Sequence, residues 1–144
     1  MNNLGIKGAS MLFNTLIESK SEIKTLSLYD NKLDDKCMES MGKFIKNSQT
    51  IESIGICYNR ITDKGIKTLH PYLIGNRILK RFDISQNEGI TDKSIPLLNE
   101  IIQKSSIENI NIEETSIINQ NIFVILLIKN ILINGSDIMD IYRK

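Results

Sequence analysis

The side chains best suited to chemistry are two cysteines, Cys37 and Cys57, and a single histidine, His70. A nucleophilic cysteine needs a base within hydrogen-bonding distance. Cys57 alternates with apolar Ile56 in a strand-like segment, so we expect it on the open face of a sheet. His70 stands beside Pro71 in a helix-like segment. A strand face and a helix layer do not bring their side chains together, so a Cys–His nucleophile is not predicted.

Other chemical signatures are missing from the sequence. It contains no phosphate-binding loop, no dinucleotide fingerprint and no paired metal ligands at a usable spacing. Asp35, Asp63 and Asp92 recur at one place, directly before a helix-like segment, where a carboxylate suits a helix N-terminus. We therefore predict that these aspartates have a structural role. We also predict that the protein has no enzymatic activity and binds no cofactor or metal.

The elements that position these residues repeat along the chain. Four segments with one apolar pattern, each 28 residues after the last, begin at Ile23, Ile51, Leu79 and Ile107. An asparagine keeps the same spacing in the first three, at Asn31, Asn59 and Asn87, and Thr115 replaces it in the fourth. A constant period of this length is typical of stacked structural repeats.

Each repeat combines a short alternating segment with an apolar pattern at helical spacing, which predicts one strand and one helix. Asn59 stands where the strand ends, and we expect its amide to satisfy turn backbone groups of its own and the neighbouring repeat. Asn31, Asn59 and Asn87 would then form a structural ladder. Thr62 and Asp63 are expected to cap the following helix, and Gly65 to leave room for its entry.

The pattern LxxLxLxxNxL followed by a helix, as in residues 51–73, resembles the leucine-rich repeat. Its 28-residue form is similar to the ribonuclease-inhibitor-like class, and the resemblance covers residues 2–133. It implies an α/β solenoid of about four and a half repeats, with a curved parallel β-sheet on the concave side and α-helices on the convex side. The class includes the Ran GTPase-activating protein, repeat regions of innate immune receptors and the actin-binding domain of tropomodulins. The resemblance therefore implies protein binding without naming the partner.

The repeat boundaries divide a single domain over residues 1–144. It comprises a partial repeat at 1–22, full repeats at 23–50, 51–78 and 79–106, a degenerate terminal repeat at 107–135 and a tail at 136–144. Because Asn2 matches Asn59, the chain begins midway through a repeat, and we expect a fragment of a longer array. The terminal helix segment is apolar nearly all round, so either the tail folds back over it or it mediates weak self-association.

The overall composition narrows the class of partner. Eighteen Lys and Arg residues and seventeen Asp and Glu residues nearly balance. The electrostatic field of the chain therefore does not favour binding to nucleic acid or to an anionic membrane. The longest apolar run, at residues 122–133, contains Lys129 and falls well short of the roughly 20 residues of a membrane span. Two cysteines make no disulfide framework. We expect a cytoplasmic protein that binds another protein.

The concave strand face and its adjoining turns are the predicted binding site, because Tyr and Arg are enriched at binding hot spots. The predicted contact residues are Tyr29, Asp30, Cys57, Tyr58, Arg81, Asp83, Ser85 and Glu113. The resemblance leaves two alternatives open. One is regulation of a small GTPase, with Arg60, Arg77 or Arg81 as candidates, and the other is tropomodulin-like actin-filament capping.

Overall fold

The computed structural model describes residues 4–119. It confirms an α/β fold in which four helices accompany a four-stranded parallel sheet. The helices are α1 (Gly5–Glu18), α2 (Met38–Asn47), α3 (Asp63–Leu73) and α4 (Ile95–Lys104). The strands are β1 (Thr25–Ser27), β2 (Ser53–Gly55), β3 (Arg81–Asp83) and β4 (Asn109–Asn111). The predicted terminal helix and tail lie outside the described residues.

The strands pair in chain order, and the register equals the sequence period. Thr25 pairs with Ser53, Ser53 with Arg81, and Arg81 with Asn109, each 28 residues apart. Isolated parallel bridges continue the pairing beyond the strands, for example between Asp34 and Arg60. Each three-residue strand is therefore part of a longer stacked unit that includes its turn.

The core lies between the sheet and the helices. The apolar strand positions of the second to fourth repeats are buried, for example Ile54 and Phe82 at 1% exposure. Helix positions Met41, Leu69 and Leu98 pack against them with no exposed surface. Burial of one face of each element explains why the apolar residues recur at both a strand period and a helix period.

The side chain of Asn59 joins two repeats through five hydrogen bonds. Its Oδ1 accepts from the backbone N–H groups of Asn31 (3.1 Å) and Leu33 (2.9 Å). Its Nδ2 donates to the carbonyls of Leu28, Ile56 and Cys57 at 2.9–3.0 Å. Asn87 makes four equivalent bonds one repeat later while fully buried. One amide thus satisfies backbone groups that the turn would otherwise leave unpaired.

The aspartates differ from the prediction that they cap their own helices. Thr62 does cap α3, because its hydroxyl accepts from the N–H of Lys64. Asp63 instead accepts from the N–H (2.8 Å) and hydroxyl (2.8 Å) of Thr91 and from the hydroxyl of Ser94 (2.6 Å), all in the following repeat. Asp35 bonds to Thr62 in the same way. Each carboxylate therefore holds the helix entrance of the next repeat.

Gly65 makes room for this carboxylate bridge. A Cβ atom at Gly65 would collide with Oδ1 of Asp35 and with the side chain of Ile61. In the next repeat the corresponding position is Ser94, whose hydroxyl donates to the incoming carboxylate. The glycine predicted to ease helix entry is thus required by the neighbouring repeat.

His70 has a partner that the sequence did not indicate. Its Nε2 lies 2.8 Å from Oε2 of Glu100 on the neighbouring helix α4, and Lys104 also contacts Glu100 at 2.7 Å. These hydrogen bonds, first from Lys104 and then from His70, lower the pKa of Glu100. The histidine therefore links two helices at the surface of the helix layer.

We predict that Asn59→Ala lowers the free energy of unfolding by about 1–3 kcal/mol, because it leaves backbone donors and acceptors of two repeats unsatisfied. Denaturant melts of the variant and of Asn14→Ala provide the measurement. Asn14 is exposed on α1, so its substitution should leave stability nearly unchanged. A loss of only a few tenths of a kcal/mol for Asn59→Ala would contradict the ladder's importance.

We also predict that Asp63→Asn lowers stability at pH 7 by about 1 kcal/mol. Partial burial raises the pKa of Asp63, but the hydrogen bonds from Ser94 and Thr91 together lower it by more. A pKa that is lower in the folded state stabilises the protein above the ordinary aspartate pKa of 3.8, and this contribution is lost as the pH falls through the folded value.

The stability difference between the native chain and Asp63→Asn should therefore shrink on acidification below pH ~4. Thermal melts between neutral and acid pH measure it. Glu18→Gln, at an exposed carboxylate on α1, controls for the loss of one negative charge. A difference that stays constant with pH would show that the Asp63 carboxylate does not carry the bridge.

Candidate protein-binding surface

The face of the sheet opposite the helices is open and carries small, polar side chains. Thr25, Ser27 and Arg81 are exposed, whereas Ser53 and Asp83 are half-buried. At the centre Gly55 has no side chain, and a Cβ atom there would have only ordinary van der Waals contacts. This open face is therefore a shallow floor on which another backbone or side chain can lie closely.

Two stacked tyrosines stand at the end of this face. The ring centroids of Tyr29 and Tyr58 are 5.6 Å apart with an interplanar angle of 21°, and each side chain is 52% exposed. They are not equivalent positions, since Tyr58 corresponds to Asp30 of the preceding repeat. Tyr58 and Asp30 both have a left-handed backbone, with φ of 55° and 50°. This conformation is unfavourable for a bulky residue such as tyrosine.

A left-handed residue recurs at the same position of each repeat, at Asp30, Tyr58, Gln86 and Glu114. In the first three repeats it directly precedes the ladder asparagine. The turn that positions that asparagine therefore also sets the direction of the chain at Tyr58. This link between the scaffold and the aromatic pair is not visible in the sequence, because none of these four residues is glycine.

A groove of about 520 Å³ lies beside the tyrosines at the strand-to-helix turns. Tyr58 forms part of its wall, so the groove is continuous with the aromatic pair. Both charge signs line it, with Lys32 and Arg60 against Asp30 and Glu88. Mixed charge suits the polar surface of a protein better than a uniformly anionic partner.

Most of the predicted contact residues lie on this face or its turns. Tyr29, Tyr58, Arg81 and Glu113 are exposed, and Asp30, Cys57 and Asp83 are half-buried.

Ser85 is a correction to the predicted contacts. It is only 6% exposed, and both its hydroxyl (2.6 Å) and its N–H (3.0 Å) donate to Oδ1 of Asp83. This side chain therefore binds Asp83 and is not presented to a partner.

The three arginines considered for GTPase regulation lie in separate places. Arg60 lines the groove at the turns, and Arg81 lies on the open sheet face. Arg77 belongs to a different depression, between the C-terminal ends of the helices and the following strands. The fold therefore does not bring them together into one cationic site.

Neither cysteine is activated as a nucleophile. Burial, followed by the charge of Asp83, raises the pKa of Cys57. Burial raises the pKa of Cys37 to about 11. Because the thiolate is the reactive form, these shifts make both thiols weaker nucleophiles near neutral pH. His70 offers them no help, since it pairs with Glu100 in the helix layer.

Within residues 4–119, no group of three or more His, Cys, Asp or Glu side chains is arranged to hold a metal ion. Among the helices of that same part of the chain, none combines the length and apolar character needed to cross a membrane.

Of the comparisons with known proteins, the one with solved structures supports the fold described above. No family model matches the sequence, and no curated protein matches it. Among solved structures, the chain is similar to the leiomodin-1 actin-binding site 2, with a TM-score of 0.77 and 16% sequence identity. The match covers 98% of this chain and 86% of that one. The chain thus has the leucine-rich-repeat-like fold of that structure, with its parallel sheet and flanking helices.

Proposed function

We propose that this chain is a non-enzymatic protein-binding module that contacts its partner through the open sheet face and the adjoining turns. The exposed Tyr29–Tyr58 stack is the observation that carries this proposal. Each ring supplies a large contact area with a polar tip, and tyrosine is among the residues enriched at binding hot spots. Because the two rings already pack on each other, little side-chain freedom remains to be lost on binding.

We further propose the finer architecture that the sequence period implies. It is a solenoid of about four and a half ribonuclease-inhibitor-like repeats in one domain, acting in the cytoplasm. The constant 28-residue register between all four strands supports this proposal.

The size of the face sets a condition on binding. Four strands about 4.8 Å apart span roughly 15–20 Å. A standard interface takes about 800 Å² from each partner, more than such a strip supplies. The partner must therefore also cover the groove at the turns, where Arg60 and Glu88 offer charge-complementary contacts at its rim.

Actin is the partner that we propose first. The structure similar to this chain is described as an actin-binding site, and the similarity extends over nearly the whole chain. The same fold resembles the actin-binding domain of tropomodulins. The mixed charge and paired aromatics of the candidate surface fit a folded protein of this kind.

We predict that the chain binds actin and that Tyr29→Ala and Tyr58→Ala each weaken binding by about 1–2 kcal/mol, roughly fivefold to thirtyfold. Co-sedimentation with filaments and calorimetry with monomeric actin provide the measurements. Lys67→Ala, at an exposed position on α3, is the matched control on the helix side. Melting curves of all three variants check that the fold is retained.

Two results would contradict the proposal at different levels. Absence of binding to both forms of actin would remove actin as the partner. Loss of affinity in Lys67→Ala together with native affinity in both tyrosine variants would show that the partner binds the helix side.

A further inference from the structure

A depression of about 350 Å³ lies at the helix-to-strand edge of the molecule, opposite the asparagine ladder. Its described lining comes from the turn between α2 and β2 and from the turn between α3 and β3. Two consecutive repeats therefore build it. The binding proposed for the open sheet face does not involve this edge, so the two proposals are independent.

Two cations stand at this depression without an ionic partner. Lys46 and Arg77 are exposed, and neither forms an ion pair with another residue in 4–119. Lys24, Lys80 and Lys104, at the same edge, each pair with a glutamate. Among the described residues that line the depression, none carries a carboxylate. The site therefore has two positive charges that the protein itself does not neutralise.

The helix dipole accounts for only one of these charges. Lys46 lies in the last turn of α2, where a cation suits the C-terminal carbonyls. Arg77 lies beyond α3, which ends at Leu73. The repeat scaffold does not require an arginine there, because the equivalent positions 28 residues before and after it are Gln49 and Ser105. Arg77 is thus available for a ligand.

Two neutral side chains in the lining have free donors for a structural reason. Oδ1 of Asn76 accepts from the N–H of Leu79 (2.8 Å), and Oγ of Ser48 accepts from the N–H of Ile51 (3.1 Å). Each oxygen closes its own turn. Nδ2 of Asn76 and the hydroxyl hydrogen of Ser48 have no acceptor among the described residues. Donors without a competing acceptor favour an anionic ligand.

The turn that carries Arg77 is fixed before any ligand binds. The N–H of Gly75 donates to the carbonyl of Lys104 (3.0 Å), and the carbonyl of Asn76 accepts from the N–H of Ser106 (2.8 Å). Gly75 has a φ of 74°, which glycine adopts readily. Because the third repeat holds this turn in place, little backbone ordering is needed on binding.

One side of the depression is an apolar wall. Pro71 is exposed there, and Ile74 and Ile78 are half-buried. Tyr72 also lines the depression, and its ring packs so closely on α2 that a Cβ atom at Gly42 would collide with it. A ligand that fits this site therefore joins an anionic group to an apolar body.

We propose that this depression binds a phosphorylated aromatic side chain, a phosphotyrosine, of a partner protein. A phosphate monoester carries about −1.5 to −2 charges at pH 7, which matches two cations better than one carboxylate does. The guanidinium of Arg77 can hold two phosphate oxygens with its planar fork, and Lys46 adds a second charge. Ser48 and Asn76 donate to the remaining oxygen, and the aromatic ring lies on the apolar wall.

The position of the site favours a side chain over a free metabolite. Ligand pockets usually bury most of a small molecule. Here Lys46, Pro71, Gly75 and Arg77 are all exposed, so the depression is shallow and open to solvent. A group that extends from a larger body can enter it while the rest of that body stays outside.

The probe is N-acetyl-phosphotyrosine amide, titrated into the full ¹⁵N-labelled chain and followed by the N–H signals of Gly75 and Arg77. These signals should shift saturably, with a Kd of about 1 mM or tighter. Lys46→Gln and Arg77→Gln should each weaken binding about tenfold, the loss expected for a charged donor. Lys67→Gln, at an exposed lysine on α3, is the matched control and should change it less than about twofold. Melting curves check that each variant is folded.

Three further ligands test the chemistry of the proposed group. Capped phosphoserine lacks the ring and should bind about threefold more weakly or worse. Capped sulfotyrosine keeps the ring but has one negative charge, and it should also bind about threefold more weakly or worse. Inorganic phosphate should bind more weakly than capped phosphotyrosine, because it cannot contact the apolar wall.

Several results would overturn the proposal. One is the absence of saturable shifts at Gly75 and Arg77 up to about 10 mM ligand, and another is an equal loss of affinity in Lys67→Gln. Inorganic phosphate that binds as tightly as capped phosphotyrosine would show that the site attracts a free anion and not a partner's side chain. Equal affinity for sulfotyrosine or phosphoserine would show that the charge or the ring is not recognised. None of these results bears on actin binding, which is measured at the tyrosine stack.

Discussion

The structure depends on one recurring need, which is to satisfy the backbone groups of each strand-to-helix turn. Asn59 does this with a single amide that accepts from two N–H groups and donates to three carbonyls across two repeats. Asparagine suits this place because its side chain carries both a donor and an acceptor. Since the amide reaches a fixed distance, neighbouring turns must lie in register, and the strands follow at the same spacing.

The aspartate bridges reinforce that register on the other side of the turn. Asp63 holds Thr91 and Ser94, so the entrance of each helix is tied to the repeat before it. The turn of the third repeat is one residue longer than that of the second, with two residues, Glu88 and Gly89, between Asn87 and Ile90. The arrangement tolerates this residue, because the carbonyl of Gly89 accepts from the N–H of Asp63 and Thr62 pairs with Gly89. The insertion is absorbed within the turn, and the pairing of β3 with β4 is unchanged.

A scaffold satisfied in this way leaves the open sheet face as a surface that we propose for a partner. The open sheet face is polar and shallow, and the Tyr29–Tyr58 pair is its main exposed apolar feature. This face would recognise the side chains of a partner.

The sequence by itself determined the α/β class, the four strands and the apolar positions of the core, because each repeat imposes a strand period and a helix period on its residues. It also indicated Asn59 as a bridge, since an amide at a strand end has few other roles. Only the tertiary structure decided which repeat each aspartate serves. A carboxylate before a helix looks the same in sequence whether it caps that helix or, like Asp63, the next repeat.

The arrangement of the candidate binding surface was likewise decided only by the tertiary structure. The tyrosine stack joins residues that are not equivalent in the repeats, and it depends on the left-handed backbone of Tyr58. The sequence does not indicate this conformation, because the residue is not a glycine. Alternation places Ser85 on the open face, but its short side chain is buried and hydrogen-bonded to Asp83. Sequence periods specify which face a residue occupies within a regular element. Beyond the end of that element, the backbone torsion angles and the neighbouring repeat set its direction, and these exist only in the folded chain.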